Sequence, residues 1–222
     1  MKILFQLLII CLPWAIRRKL LILFFGYKIH PTARIGKSLI FPKKLEMEAH
    51  SRIHHLVICK QIDSLVLSED SGIATMTYIT GFKTAGNNFF KEVKNRRCEL
   101  ILGKSAGITS RHFVDCNGGV YIGDFTTVAG IRSQVLTHSI DVYNNRQHTA
   151  PIHIGKYCFL GTGCILLPGT KLPAYSILGA GAVLTKKYEQ KGMLYAGNPA
   201  KPVKKIDIDA TKYFHRKKHV VE

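Results

Sequence analysis

The residues able to do chemistry fall into three groups. Six are cysteines: Cys11, Cys59, Cys98, Cys116, Cys158 and Cys164. No two form a C-x-x-C pair, and a chain of 222 residues can build a core of its own. That pattern reads as reduced thiols rather than a disulfide framework or a structural zinc site. Ten are histidines. His138 sits in Thr137-His138-Ser139-Ile140-Asp141; an imidazole with an unperturbed pKa of about 6.5 is largely neutral at cellular pH and can take a proton, or it can simply pack. His148 and His153 lie five apart, while His54-His55 would point to opposite faces of a strand and read as structural. The third group is the cations.

Lys+Arg 32 against Asp+Glu 14 leaves a net charge of +18, which calls for anionic partners such as lipid headgroups, phosphates or nucleic acid. Residues 1–60 hold eleven basic and two acidic side chains, so half of the excess lies in the most apolar part of the chain. A second basic cluster, Arg216-Lys217-Lys218, follows Tyr213 and Phe214. Cations beside apolar residues form a membrane-surface signature. With no helix-turn-helix, zinc-finger or RNP-like pattern, nucleic acid is not an expected partner.

Those groups must be held by something. At the N-terminus Ile3 to Ile16 and Leu20 to Phe25 are nearly all apolar, but Arg17-Arg18-Lys19 between them, and Pro13, rule out one uninterrupted membrane-spanning helix. A signal peptide lacks its small-residue cleavage site. A helix packed on the protein's own core is open. The preferred expectation is an apolar helix or pair of helices, residues 1–28, lying in the headgroup region with Arg17, Arg18, Lys19 and Lys28 on anionic phosphates. Together with the reduced thiols, that reading makes a cytoplasmic protein peripheral on the membrane the expectation.

Beyond residue 28 the dominant signal is a period of six. Ile154, Leu160, Leu166, Leu172, Leu178 and Leu184 form an unbroken hexad series. Shorter runs precede it at Leu102, Ile108, Val114 and Val120, at Ile122 and Val128, and at Leu67, Ile73 and Ile79. Neither a helix nor a plain alternating strand sustains six. The physical reading is a solenoid of short strands and tight turns, aliphatic residues inward and successive coils stacked into parallel sheets.

With Leu178-Gly179-Ala180-Gly181-Ala182-Val183-Leu184-Thr185-Lys186 and Ala196-Gly197-Asn198-Pro199-Ala200-Lys201-Pro202, the chain resembles the hexapeptide-repeat acyltransferases, in particular the xenobiotic-acetyltransferase branch that includes polysaccharide O-acetyltransferases. The resemblance covers about residues 29–206, patchily before 99 and closely after 121. It implies an all-β, left-handed parallel β-helix; the hexads stop at 139–152, which reads as an excursion from the coil, and 207–222 is taken as a basic tail, with a helix over 207–219 the open alternative. It also implies a homotrimer with acetyl-CoA between subunits, and direct transfer to an acceptor hydroxyl. His138 matches the family's general base and Thr162 the backbone amide at the thioester. Ala180, Thr185, Lys186 and Lys201 match positions along the coenzyme. Asp115 falls where the family has an acceptor-contacting Asn; it could bond sugar hydroxyls, orient His138, or be a turn residue. Asn117, Tyr143 and Arg146 could line the acceptor site.

The implied function is O-acetylation of a sugar hydroxyl of a surface polysaccharide or lipid-linked precursor. That the membrane is met at its inner face follows only by analogy with the assembly of such precursors, through this resemblance. Serine or antibiotic acceptors, and a silent scaffold, are alternatives. Related β-helical carbonic anhydrases bind metal through a spaced histidine pair and a third histidine, for which His148, His153 and His112 are the candidates here. His153 is out of phase with the following Ile-Gly and the acidic shuttle has no counterpart, so no metal is expected.

Overall fold

The computed structural model describes residues 2–86 and 89–218. Its body is a parallel β-helix. Three parallel sheets run its length, the first from Lys28–Ile29 to Lys171–Leu172, the second from Arg34–Ile35 to Met193–Ala196, the third from Leu39–Phe41 to Val183–Leu184. Each coil visits the three faces in turn, so the molecule is a triangular prism with three long edges. Register follows the hexads: Ile122 pairs with Ile154 and Ile154 with Leu172 on the first face, while Leu160 pairs with Leu178 on the second. These side chains are buried and fill the interior as stacked aliphatic layers.

Corners between faces demand a backbone that L-residues rarely adopt. Glycine supplies it at Gly130 and Gly181, where φ is +70° and +69°. Phe125, Tyr157 and Tyr175 supply it elsewhere at φ +56°, +55° and +60°. Their rings compensate by stacking at centroid distances of 4.7 and 5.4 Å. Five of the six cysteines are buried free thiols inside the coils, and burial pushes Cys98 and Cys158 up to about 12.

The N-terminal residues form two helices, α1 Lys2–Ile9 and α2 Trp14–Phe25, and these correct one expectation. Arg17 and Arg18 do not face outward to phosphates. Arg17 is buried and donates to the carbonyls of Ile35, Gly36 and Ser38 at 3.3, 2.7 and 3.1 Å. Arg18 donates to Ile29 O, and Trp14 Nε1 to Ala33 O at 3.0 Å. Gln6 brackets Ile40, donating to its carbonyl at 2.6 Å and accepting its N–H at 2.9 Å. The first coil of a β-helix has open backbone edges on all three faces. The helices close all three. Lys28 meanwhile pairs with Glu46 at 2.7 Å.

The C-terminal residues 207–218 are likewise more than a free tail. A 3-10 turn, Lys212–His215, lies against the second face, Tyr213 donating to Cys158 O at 3.0 Å while the Arg216 guanidinium stacks 3.8 Å from the Tyr213 ring centroid.

Candidate active site

Strand Phe113–Asp115 ends at the edge between the third and first faces, and strand Gln134–Leu136 stacks on it with Asp115 opposite Leu136. The next residues of each coil, Cys116-Asn117 and Thr137-His138, are therefore neighbours about 4.8 Å apart although some twenty residues separate them in sequence. Gly118 lets the corner close, since a Cβ there would lie 2.6 Å from Thr149 Oγ1 and 2.7 Å from the Ala150 carbonyl carbon.

Asp115 is the hub. Its carboxylate is buried and collects five N–H donors: Asn117 N and Nδ2 on Oδ1 at 3.0 and 2.6 Å, and Thr137 N, His138 N and His138 Nδ1 on Oδ2 at 2.9, 3.0 and 2.6 Å. Such saturation holds a charged carboxylate in the interior. Nδ1 faces an acceptor this close, so it carries the ring proton, and among the described residues no group hydrogen-bonds to Nε2. The Asn117 amide is fixed the same way: its Oδ1 accepts Phe82 N–H at 2.7 Å, which turns Nδ2 toward Asp115. The His138 side chain is 38% exposed against 1% for Asp115, so an oriented imidazole stands at the surface on a buried carboxylate.

Two excursions leave the prism at this edge. One, residues 81–98, connects strand Tyr78–Thr80 to Glu99–Leu102. Arg96 ties it down, donating to Phe82 O at 2.8 Å, Lys83 O at 2.9 Å and Asn117 O at 3.0 Å. The Phe90 ring stands edge-on to His138 at 6.2 Å. Phe90 and Arg96 carry no signal in the sequence beyond a break in the hexads. The other excursion is the expected one after His138, folded as a hairpin of His138–Asp141 and Arg146–Thr149. Its tip holds Tyr143, almost fully exposed, about 15 Å along the strand from His138. The Asn144 side chain and backbone donate to Asp141 and draw its pKa down.

The remaining expected residues separate by edge. Thr185 and Lys186 lie on the His138 edge, two coils further on. Thr162 and Ala180 lie on the edge between the second and third faces, with Lys201 opening the last strand beside Ala196. That second edge is lined by small residues stacked closely from coil to coil: a Cβ on Gly130 would lie 2.4 Å from Thr162 Cβ, and one on Gly161 2.6 Å from Ala180 N. Within one chain Thr162, Ala180 and Lys201 are not brought to His138.

The metal candidates do not converge. Nδ1 of His112 accepts Ser133 N–H at 3.0 Å and Nε2 lies 2.9 Å from Thr109 Oγ1, so neither nitrogen is free to ligate; burial holds its pKa down. His153 stacks on Tyr121 at 4.8 Å, its pKa lowered by burial and by Lys187 and Lys171. His148 lies on the hairpin. Among the described residues there is no group of three or more His, Cys, Asp or Glu able to hold a metal ion.

No family model matches the chain. A Staphylococcus aureus protein named "putative acetyltransferase" is 38% identical over 76 residues, 33% of this chain and 38% of that protein. A Saccharomyces cerevisiae protein of the same printed description is 29% identical over 136 residues, 60% of this chain and 61% of its own. The chain thus spans less than two thirds of these relatives. Among solved structures, the polysialic acid O-acetyltransferase OatWY superposes with a TM-score of 0.59 at 17% identity, covering 81% of this chain and 84% of that one. The prism is accordingly a left-handed parallel β-helix, the fold of the hexapeptide-repeat acetyltransferases, and part of the chain is related in sequence to proteins named as acetyltransferases.

Proposed function

We propose that the protein is an acetyl-CoA-dependent O-acetyltransferase whose acceptor is a carbohydrate hydroxyl, with His138 as general base. The observation that carries this reading is the buried Asp115 bonded to Nδ1 of the partly exposed His138 imidazole, which leaves Nε2 as the ring's proton acceptor. As the acceptor oxygen attacks the thioester carbonyl, its proton passes to Nε2. The resulting imidazolium is stabilised by the Asp115 carboxylate. When the tetrahedral adduct collapses, the C–S bond breaks and the coenzyme thiolate takes the proton from Nε2, which restores the base. Backbone N–H groups such as that of Thr162 suit the oxyanion. Along the same edge Ala180 offers room for pantetheine, and Lys201, like Thr185 and Lys186 on the base edge, suits the polar and phosphate groups of coenzyme A. The sugar acceptor is drawn from the polysialic acid enzyme of the same fold and from the open setting of the base.

This chemistry needs both edges, which border opposite sides of the third face. In line with the resemblance to the hexapeptide-repeat acyltransferases, the reading takes the second edge from another copy, whose second-to-third edge meets the His138 edge of the first. Such a contact is heterologous, and it closes on itself as a ring, here a trimer. The test is complementation between His138→Ala and Ala180→Trp, which would remove the base and crowd the second edge respectively. Each alone should be inactive. Refolded together at equal ratio, three quarters of randomly mixed rings hold one intact site of three, so about a quarter of wild-type activity should return. Mixed trimers, proved by two affinity tags, that stay inactive would overturn the shared site. Wild-type protein that neither binds acetyl-CoA by calorimetry nor acetylates any of a panel of sugars would overturn the transferase reading.

A further inference from the structure

The two N-terminal helices close the end of the prism, but only their inner face is used. Leu4, Leu7 and Leu8 of α1 and Ile16, Leu23 and Phe24 of α2 point into solvent, Leu8 at 71% and Leu23 at 74% exposure. An exposed apolar patch of this size needs a partner. Its surroundings say which. Residues 1–44 contain nine basic side chains and not one Asp or Glu. Arg17 and Arg18 are committed to backbone carbonyls, whereas Lys19, between Ile16 and Leu23 on the outer side of α2, and Arg34, Lys37, Lys43 and Lys44 on the first two coils are exposed. A second copy docked end to end would bring these cations against themselves. An anionic lipid surface complements both the apolar face and the charge.

We infer that this capped end is a docking surface for an anionic bilayer, α1 and α2 lying in the headgroup region with Leu4, Leu8, Leu23 and Phe24 immersed. At 8 and 12 residues the helices are about 12 and 18 Å long, too short for the roughly 30 Å hydrocarbon core, so they lie on the membrane without crossing it. Because they cap all three faces, the prism stands on the lipid. His138 belongs to the fifth coil; four coil spacings put it about 19 Å from the capping coil. If the proposed transferase reading holds, the acceptor hydroxyl lies at that height, several sugar units out along a membrane-anchored glycan rather than on the sugar next to the lipid.

Vesicle co-sedimentation of the full chain, without acceptor or acetyl-CoA, tests the docking surface independently of catalysis. The protein should bind phosphatidylcholine vesicles containing phosphatidylglycerol about tenfold or more tighter than phosphatidylcholine alone. Leu8→Glu with Leu23→Glu should abolish that binding at unchanged melting temperature; Leu8→Ser with Leu23→Ser, and Lys19→Glu with Lys37→Glu, should weaken it by the apolar and the charge route separately. Wild-type protein that ignores anionic vesicles, or leucine variants that bind as wild type, would overturn the inference. So would concentration-dependent self-association abolished by the same leucine variants, which would assign the patch to a second copy. Lipid binding by a protein with no transferase activity would leave the docking surface standing and remove only the proposed acceptor.

Discussion

Replacing Asp115 by Asn separates a positioning carboxylate from a structural turn residue. The amide has one acceptor oxygen where the carboxylate has two. If that oxygen faces Thr137 and His138, the new NH2 meets the Asn117 N–H and Nδ2, and two donors lose their partner. If it faces Asn117 instead, three are orphaned: Thr137 N, His138 N and Nδ1. At about 1–3 kcal/mol for each buried unpaired donor, the first arrangement costs less, roughly 2–6 kcal/mol. In a chain of this size that lowers Tm by roughly 5–20 °C. In this arrangement Nδ1 still finds an acceptor, so the reactive tautomer survives, but the charge that stabilises the imidazolium is gone. A charge-assisted bond exceeds a neutral one by about 1.5–2 kcal/mol, so kcat should fall by roughly 10–30-fold. The second arrangement would force the proton onto Nε2 and cost up to about 10⁴-fold. The assay is coenzyme A thiol release with the best sugar acceptor from a screen, beside acetyl-CoA affinity by calorimetry and Tm by circular dichroism. Acetyl-CoA affinity should be unchanged, and adding Asp115→Asn to His138→Ala should cost almost nothing more. A single variant with wild-type kcat, or a double variant whose losses multiply, would refute the idea that Asp115 acts through His138.

Two further outcomes follow from the packing. Arg17→Ala leaves the carbonyls of Ile35, Gly36 and Ser38 without their buried donor and should cost at least about 1–3 kcal/mol, read as a drop in Tm, whereas Lys19→Ala, on the exposed side of the same helix, should leave Tm within error. The second is a pH dependence. The folded pKa values of His112 and His153 lie below the ordinary histidine value, so the unfolded chain binds protons that the folded one resists. Stability should therefore be full above about pH 6.5 and fall as pH drops below it, by up to about 1.4 kcal/mol per unit for the buried His112 until its folded pKa is passed, and by much less for His153, which solvent screens. Denaturant melts from pH 7.5 to 5 with His112→Asn alongside should show a shallower slope in the variant; an equal slope would remove His112 from the effect.

The coils were legible because their physics is local: an aliphatic residue every six positions marks one inward strand per face, and the series from Ile154 to Leu184 registers as that period requires. Left-handed corners at Phe125, Tyr157 and Tyr175 were not, because no glycine marks them and a ring stack between coils replaces it. The arginines of α2 read as lipid ligands because cations among apolar residues look alike whether they meet phosphates or backbone carbonyls. Only the three open edges of the first coil decide between them. At the candidate site, the exposed corner that carries His138 was legible from the end of a hexad run. The orienting role of Asp115 depends on its strand stacking under that of His138, which no spacing in sequence reveals.

A solenoid also explains why both excursions can sit at the one edge that matters. Each interrupts the chain between coils while the ladder closes over the gap: Leu67 pairs with Leu102 across the first, and Ile122 with Ile154 across the second. Neither insertion disturbs the stacking, so loop length is free where coil geometry is not. The two are then fastened to the same corner. Arg96 ties the first to Asn117 O, and Thr149 Oγ1 ties the second to Thr137 O at 2.7 Å, one coil apart and on either side of Asp115. The coil thus fixes the His138 imidazole on Asp115, and on the proposed reading the loops define what can approach it. Substitutions at Phe90 or Tyr143 should change which acceptor is used and its KM, while those at Asp115 should change kcat whatever the acceptor. That division is what a rigid repeat with insertions at a single edge makes possible.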